Sequence, residues 1–377
     1  MAKAHRRPAW IEVDRTVLER NALKMANVVA PSVLCAVVKA DGYGHGAIES
    51  AKAFVKGGAH WLAVAVVEEG IELRRAGIDE PILLLSEPLG GGMEEAVVHK
   101  LVPTIYTHEG IVQLVQATKK LGSQGESTQF HIKVDTGMHR VGCAPGQLVD
   151  LVELASQFRE ITLSGLWTHF ALADDLSSDF SRAQISQFDA VVDQALTGVN
   201  QTVVVHMANS AAAGRYEEAR RDMVRCGISL YGYSPIDGPE EPTFESAMAL
   251  KARVSFVKEV PENSGLSYGH QYVTEHQTTI ATVPIGYADG VPRRYGSCGG
   301  HVLIGGKPCR VVGAVTMDQL LVDCGQVTKV QVGDEVVLLG SQGDEKITAR
   351  DWAKWLSVIT YEVVCGFTGR LPRIWVN

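Results

Sequence analysis

A lysine stands where a run of buried apolar residues gives way to a glycine-rich loop. In VVKADGYGHGA, Lys39 closes the run and is followed by Asp41, Tyr43 and His45, interleaved with Gly42, Gly44 and Gly46. A buried ammonium is costly unless it is paired or neutralised. Condensation with an aldehyde, as a Schiff base, is the usual way an amine in such a place is put to use. The alternative is a strand-end lysine whose stem is buried and whose ammonium reaches water; a tyrosine and three glycines on one loop favour the chemical reading. Arg225, inside the apolar run MVRCGISLYG, keeps its charge wherever it is placed and must find a partner. His169 in THFALAD and Asn209 in HMANSAA are read either as ligand groups or as polar groups satisfied at strand ends. Ser210 and the Gly227-Ile228 backbone suit hydrogen-bond donation to an anion. Lys133 alternates with Ile132 and Val134, so it points opposite to them, toward the interior of a barrel if that run is a barrel strand.

The elements that must position these groups follow from hydropathy. Eight short runs succeed one another: VLCAVVK to Lys39, WLAVAVV from Trp61, PILLLS from Pro81, VPTIYT from Val102, FHIKVD from Phe130, LSGLWTH from Leu163, TVVVHMAN from Thr202 and MVRCGISLYG from Met223. They are apolar almost throughout, as strands buried on both faces should be. Between them, Ala47 to Lys56, Glu109 to Leu121, Pro145 to Phe158 and Ser181 to Leu196 carry apolar residues at three and four spacings and read as amphipathic helices. Eight strand-helix alternations define the expected class: α/β, an N-terminal (β/α)8 TIM-like barrel, with a doubly wound sheet as the rival that periodicity does not exclude. Lys39, the Asp135 and Arg140 loop, His169, Asn209 with Ser210, and Gly227 with Ile228 then lie at or after the carboxyl ends of different strands, the face on which barrels build active sites. Near Asp237 the stretch IDGPEEPTF marks a boundary, giving a barrel over 1–240 and a second domain over 241–377. Beyond it, short runs broken by Gly and Pro, with one helix near Arg350 to Leu356, predict a mainly-β domain.

Composition removes other classes. With 46% apolar and 21% charged residues the chain is an ordinary globular sequence, and its 377 residues favour two domains. A net charge of −8 with no long basic run gives no footprint for nucleic acid or an anionic membrane, which leaves a small-molecule partner. The seven cysteines are scattered, with neither a CxxC pair nor metal-ligand spacing, so no metal site is expected and the thiols suit a reducing compartment. The start MAKAHRRPAWIEVD lacks the apolar stretch of a signal peptide, and no apolar segment reaches the roughly 20 residues that span a bilayer. A cytoplasmic protein without membrane association is expected.

VVKADGYGHG resembles the pyridoxal 5'-phosphate (PLP) lysine motif of alanine racemases. HIKVDTGMHRVG, THFALAD, HMANSAA, RCGISLYG, SYG, IGYADG, GAVTMDQ and YEVVCG resemble that family in the same order, to the end of the chain. The resemblance implies a PLP-dependent isomerase that interconverts L- and D-alanine, with Lys39 carrying the cofactor. It places Arg225 at the pyridine nitrogen, and Tyr43, Tyr361, His169, Asn209, Ser210, Gly227 and Ile228 around the cofactor. Arg140 and the Met317 N–H would take the substrate carboxylate, with Lys133 (often carbamylated in the family), Tyr287 and Asp318 in support. Racemisation needs a base on each face of a planar intermediate. By the same resemblance Lys39 serves one face and Tyr268 the other, although a free tyrosine titrates near ~10 and Tyr268 would need a cation or hydrogen bonds to act near neutrality. Tyr268, Met317 and Asp318 would come from the other subunit of a head-to-tail homodimer with shared sites, and the product would supply peptidoglycan synthesis. A cysteine commonly precedes the Met-Asp pair in the family, where this chain has Thr316. The rival readings are a broader amino-acid (serine) racemase, a barrel decarboxylase using a catalytic cysteine, and a non-catalytic PLP carrier. The last resembles only the barrel, whereas this sequence continues through the second domain.

Overall fold

A computed structural model describes residues 7–121, 127–175, 177–236, 244–325, 327 and 329–377. The chain forms two compact units, one of Thr16–Gly42 and Ala47–Ser246, the other of Met1–Arg15, Tyr43–Gly46 and Ala247–Asn377. The boundary expected at 240/241 falls in the stretch 237–243, which lies outside the described residues.

In the first unit the eight apolar runs become eight parallel strands: β2 (Val33–Val37), β3 (Trp61–Val64), β4 (Ile82–Leu84), β5 (Thr104–Ile105), β6 (Thr128–Lys133), β7 (Ile161–Trp167), β8 (Val204–His206) and β9 (Met223–Cys226). Their order is β4-β3-β2-β9-β8-β7-β6-β5. The two ends meet through a parallel bridge between Leu83 and Val102, with Leu84 N–H donating to Val102 O at 2.9 Å. The sheet therefore closes as a barrel, and the doubly wound alternative is excluded. Helices follow the strands at Ala47–Lys56, Val67–Arg75, Gly92–Val98, His108–Lys120, Leu148–Ser156 and Phe180–Ala195. Local chemistry sets their ends: the Thr107 hydroxyl accepts from Gly110 N–H at 2.8 Å to cap His108–Lys120, with Glu109 in the first turn and Lys119 and Lys120 in the last. The chain after β9 is met by the helix Arg15–Val29, whose buried Asn21 amide donates to Leu230 O at 3.1 Å and Glu245 O at 2.8 Å.

The second unit is mainly β. Its large sheet runs β11-β14-β17-β16-β15-β18-β10-β1-β20, with β19 on β18 and a separate β12-β13 pair. The strands are β1 (Ala9–Asp14), β10 (Met248–Arg253), β11 (Phe256–Val260), β12 (Gly265–Leu266), β13 (Tyr272–Val273), β14 (Thr278–Val283), β15 (His301–Ile304), β16 (Lys307–Val312), β17 (Leu320–Asp323), β18 (Glu335–Gln342), β19 (Glu345–Ile347) and β20 (Arg373–Val376). Contrary to the expectation from sequence, the barrel does not hold all of 1–240. β1 pairs antiparallel with β10 and parallel with β20, so the first strand of the chain belongs to the second unit. Strand pairing at a sequence separation of more than 200 residues leaves no local pattern to read. Besides the expected helix, Ala349–Leu356, a short one spans Thr360–Cys365.

Trp352, 1% exposed, anchors this core: its ring lies 4.3 Å from Tyr295 and 5.7 Å from Phe367 between centroids, and its Nε1–H donates to Leu338 O at 2.9 Å. Trp352→Ala removes the ring and leaves that carbonyl unpaired. Urea unfolding should show a loss of about 3–5 kcal/mol, whereas Leu89→Ala, at an 83% exposed position, should change stability by less than about 0.5 kcal/mol.

Candidate active site

The barrel register sets three side chains in a row. Lys133 on β6 is opposite Trp167 on β7, and Trp167 is opposite His206 on β8. One pleat earlier, His131 faces Gly165. A Cβ at Gly165 would stand 2.5 Å from the His131 ring, so only glycine leaves room for that imidazole. Arg225 on β9 reaches into this layer, and its guanidinium lies 4.4 Å from the centre of the Trp167 ring.

Arg225 is 3% exposed, and among the described residues no carboxylate pairs with it. Its Nη1 bonds His206 Nδ1 at 2.7 Å, and its Nη2 bonds Thr168 O at 2.8 Å, Met207 O at 3.1 Å and His169 Nδ1 at 3.2 Å. Because arginine can only donate, His206 Nδ1 must accept and its proton is assigned to Nε2. That Nε2 lies 2.9 Å from His131 Nδ1, which therefore accepts in turn and leaves the His131 proton on Nε2, a buried atom with no hydrogen-bond partner. Both tautomers require neutral rings. Burial and the Arg225 charge push His131 down to about 3 and His206 well below its usual range. Burial, Arg225, Arg140, Lys133 and Lys39 do the same to His169. Arg225 itself falls only to about 10 through burial and stays cationic at neutrality.

Lys133 is 1% exposed, donates to Val141 O and lies 5.1 Å from the Trp167 ring centre. Burial first, then Arg140 and Arg225, push it down to about 8. Arg140 is exposed and acts on Lys133 through its field, without a hydrogen bond between them. The lowered ammonium makes Lys133 an amine that is partly neutral near pH 8, the state that carbamylation requires.

Lys39 follows β2 and is half-buried. After it, Ala40, Asp41, Gly42 and Tyr43 take φ of 53°, 50°, 60° and 52°, one turn of left-handed helix. Such a turn is strained for every residue but glycine. It is held by Gly42 N–H to Val38 O at 2.9 Å, Ala40 N–H to Glu69 Oε1 at 2.7 Å and Ala47 N–H to Asp41 Oδ1 at 2.9 Å. Glu69 was not singled out in the sequence, nor were His206 and His131.

At the ends of β8 and β9 two short helices begin, Ser210–Arg215 and Ile228–Tyr231, tied together by Gly227 N–H to Ser210 Oγ at 2.9 Å. The leading N–H groups of each have no intrahelical acceptor. Asn209 caps the first through Ala212 N–H at 3.0 Å, so its side chain has a structural duty here. The Gly227 N–H is likewise already engaged, which leaves Ile228 and the helix starts as the donors toward an anion.

In the second unit, Tyr268, Met317 and Tyr287 are exposed at 68%, 53% and 43%. Ser267 Oγ donates to Ala314 O at 2.7 Å, which ties the Tyr268 turn to the segment leading to Met317. The Tyr287 turn meets the same segment: Tyr287 N–H donates to Thr316 O at 2.9 Å and Ala288 N–H to Met317 O at 3.1 Å. A Cβ at Gly286 would stand 2.3 Å from Thr316 O, so this approach demands glycine. The Thr316 hydroxyl both donates to Gln319 O at 2.9 Å and accepts from Gln319 N–H at 3.1 Å, closing the turn. Asp289, fully buried, accepts from Arg7 at 2.5 Å and from Gly286 N–H at 3.0 Å; Arg370, 3.4 Å from it, also pairs with Asp318 at 2.7 Å. Asp289 lies inside IGYADG, yet nothing in that motif distinguishes it from a loop aspartate. Tyr43 and Tyr361 also fall in this unit, with ring centroids 6.1 Å apart.

The barrel residues fit PLP chemically. A lysine stands at a strand end, helix starts offer N–H donors suited to a phosphate, and a buried cationic donor is hydrogen-bonded to neutral groups, as a weakly basic ring nitrogen needs. A barrel with this donor set, joined to a β unit bearing an exposed tyrosine, defines a PLP-dependent enzyme of the barrel type.

Known proteins agree with that class. The profile described as alanine racemase, N-terminal domain, matches residues 13–235, and that of the C-terminal domain matches residues 247–375. An alanine racemase of Halothermothrix orenii is 40% identical, covering 100% of this chain and 99% of its own length. One from Symbiobacterium thermophilum is 40% identical over 98% and 97%. The crystal structure of alanine racemase from E. faecalis superposes with a TM-score of 0.91 at 36% identity over 100% of both chains. That from Bacillus anthracis with bound L-Ala-P does so at 0.91 and 33%, over 100% and 96%. The chain belongs to the alanine racemase family, whose members are PLP-dependent isomerases.

Between pH 8 and the ordinary 10.5 the unfolded chain holds the Lys133 proton and the folded chain does not. Stability therefore gains with rising pH across that window. Urea unfolding in buffer depleted of carbon dioxide should show this component, and Lys133→Met should remove it. Identical pH profiles for the two proteins would contradict the assignment.

Proposed function

We propose that this protein interconverts L- and D-alanine with PLP held through Lys39, by proton transfer on the two faces of the substrate Cα. The observation that carries the reading is Arg225, a buried cation surrounded by neutral acceptors at the mouth of a barrel whose strand β2 leads into Lys39. When bound, PLP supplies the aldehyde with which amines condense and the electron-withdrawing ring that acidifies the Cα–H bond. Arg225 donates to the ring nitrogen and retains its own proton. Ser210, Ile228, Tyr43 and Tyr361 take the phosphate, while His169, Asn209 and Gly227 shape its surroundings. Lys39 moves the proton on the D face. Tyr268, contributed by the second subunit, moves the proton on the L face.

Arg140 and the Met317 N–H bind the substrate carboxylate. Lys133, carbamylated, becomes an anion that aligns Arg140. Tyr287 stands at the entrance, and Asp318, paired with Arg370, supports the Met317 turn. The exposed Tyr268, Tyr287 and Met317 suit a surface covered in a head-to-tail homodimer, with residues 241–377 of each chain completing the other's site. We place the enzyme in the cytoplasm, a reducing compartment that suits its seven free cysteines and where D-alanine feeds peptidoglycan synthesis. Among the described residues no helix is long and apolar enough to cross a membrane.

Incubating the holoenzyme with L-alanine in deuterated water tests this reading. Exchange of the Cα proton should accompany formation of D-alanine. Lys39→Ala should abolish both, and Tyr268→Phe should cut the L-to-D rate by at least about 100-fold, the scale of one general base. Exchange without D-alanine would mean that only one face is served. Racemisation of serine at a matching rate would widen the substrate class, and no exchange at all would indicate a PLP carrier.

A further inference from the structure

The strands that flank the Met317 loop carry facing thiols. β16 and β17 are antiparallel neighbours, with Val311 opposite Val322 and Arg310 opposite Asp323. One step outward, the same register sets Cys309 opposite Cys324. Both side chains are buried, at 2% and 0% exposure, on the face shared by Val311 and Val322, and both are reduced.

Backbone geometry decides what this pair can do. Gly305 and Gly306 turn the β15-β16 hairpin, with Ile304 paired to Lys307 beside the turn and Val302 paired to Cys309 two steps on. In a two-residue hairpin the pair beside the turn exchanges hydrogen bonds, and every second pair after it does so again. The Cys309 backbone groups therefore point toward β15. The Cys324 N–H donates to Thr279 O, on the β14 side, at 2.9 Å. Neither cysteine turns its backbone toward the other, so they form a non-hydrogen-bonded pair. There Cα atoms approach to about 4.5 Å and side chains are closest, inside the roughly 4.4–6.8 Å that a disulfide spans. Each thiol hydrogen-bonds a carbonyl of its own strand, Cys309 Sγ to Lys307 O and Cys324 Sγ to Val322 O, both at 3.7 Å; the interaction between the two sulfurs holds Cys309 below and Cys324 above the ordinary thiol range, so Cys309 is the first nucleophile.

We propose that Cys309 and Cys324 are a redox-active dithiol, oxidised by hydrogen peroxide to a cross-strand disulfide that staples the base of the loop bearing Met317. The Cys309 thiolate attacks one peroxide oxygen, the O–O bond breaks, and a sulfenic acid forms as the departing hydroxide takes a proton to become water. The Cys324 sulfur then attacks Cys309. The S–S bond forms, the S–O bond breaks, and the leaving hydroxide takes the Cys324 proton as a second water. Two sulfurs are oxidised, both peroxide oxygens are reduced, and a dithiol reductant reverses the change. The closed ring contains Gly313 to Gln319, so the staple fixes the two strands from which Met317 and Asp318 project.

The test uses holoenzyme carrying Cys298→Ser and Cys365→Ser, which removes the two cysteines that are not buried. After peroxide, a non-reducing digest should yield a peptide joining Cys309 to Cys324, and intact mass should fall by two hydrogens. The thermal midpoint should rise by about 5 °C or more, as expected for closing a loop of this length. Dithiothreitol should reverse all three changes, and Cys309→Ala and Cys324→Ala should each prevent them. Oxygen addition at single thiols, a link between other cysteines, or a linked product with no rise in midpoint would overturn the proposal.

Discussion

A guanidinium sealed among neutral acceptors governs the mouth of the barrel. Arg225 cannot shed its proton at neutral pH, and no carboxylate among the described residues pairs with it, so its neighbours adjust to its charge. His206 must present a bare nitrogen, and that choice passes through its other nitrogen to His131. Burial together with that field holds three histidines neutral, and burial, Arg140 and Arg225 lower Lys133. Trp167 offers its π face to both cations, which is favourable without neutralising either. A carboxylate in place of His206 would stabilise Arg225 more strongly, but it would also tie the guanidinium down and satisfy it. The neutral cage leaves a cation that still gains from a neutral acceptor.

Backbone constraints of two kinds serve this chemistry. On the barrel side, a left-handed turn follows Lys39, and three carboxylate or carbonyl acceptors hold it. Strain of this kind persists only where the surroundings over-determine it. In the β unit the constraint is close approach. Gly286 lets one turn lie against the Thr316 and Met317 carbonyls, and the buried Asp289 fastens that turn through Arg7. Thr316 closes the neighbouring turn with a hydroxyl that both donates and accepts. A thiol at that position could fill the space but would make both bonds weakly.

Much of the fold was legible because barrel strands are buried on both faces. Each of the eight apolar runs became a strand, and the helices between them lie within a few residues of the amphipathic segments. β1 was not legible: AWIEVD looks like any short strand, and only its pairing with β10 and β20 shows which unit it joins. The site divides in the same way. Lys39, Arg225 and Lys133 announced themselves as charges in apolar runs. His206, in a run that reads as an ordinary strand end, and His131, an alternating residue in FHIKVD, carried no such signal. Asn209 also caps a helix through its amide oxygen, and the Gly227 N–H also ties to Ser210, two local engagements that the sequence pattern does not show.

The sequence by itself determined what is local: the period of each element, the strand ends on which chemistry-bearing residues fall, and the presence of charges that apolar surroundings would make costly. Tertiary structure alone decided which groups share a layer, which tautomer each imidazole adopts, how far Lys133 is depressed and which cysteines face one another. Those properties depend on strand register and on fields acting through a dry interior. Both arise only when residues distant in the chain are brought within a few ångströms, and neither leaves a periodic trace in the residues that create it.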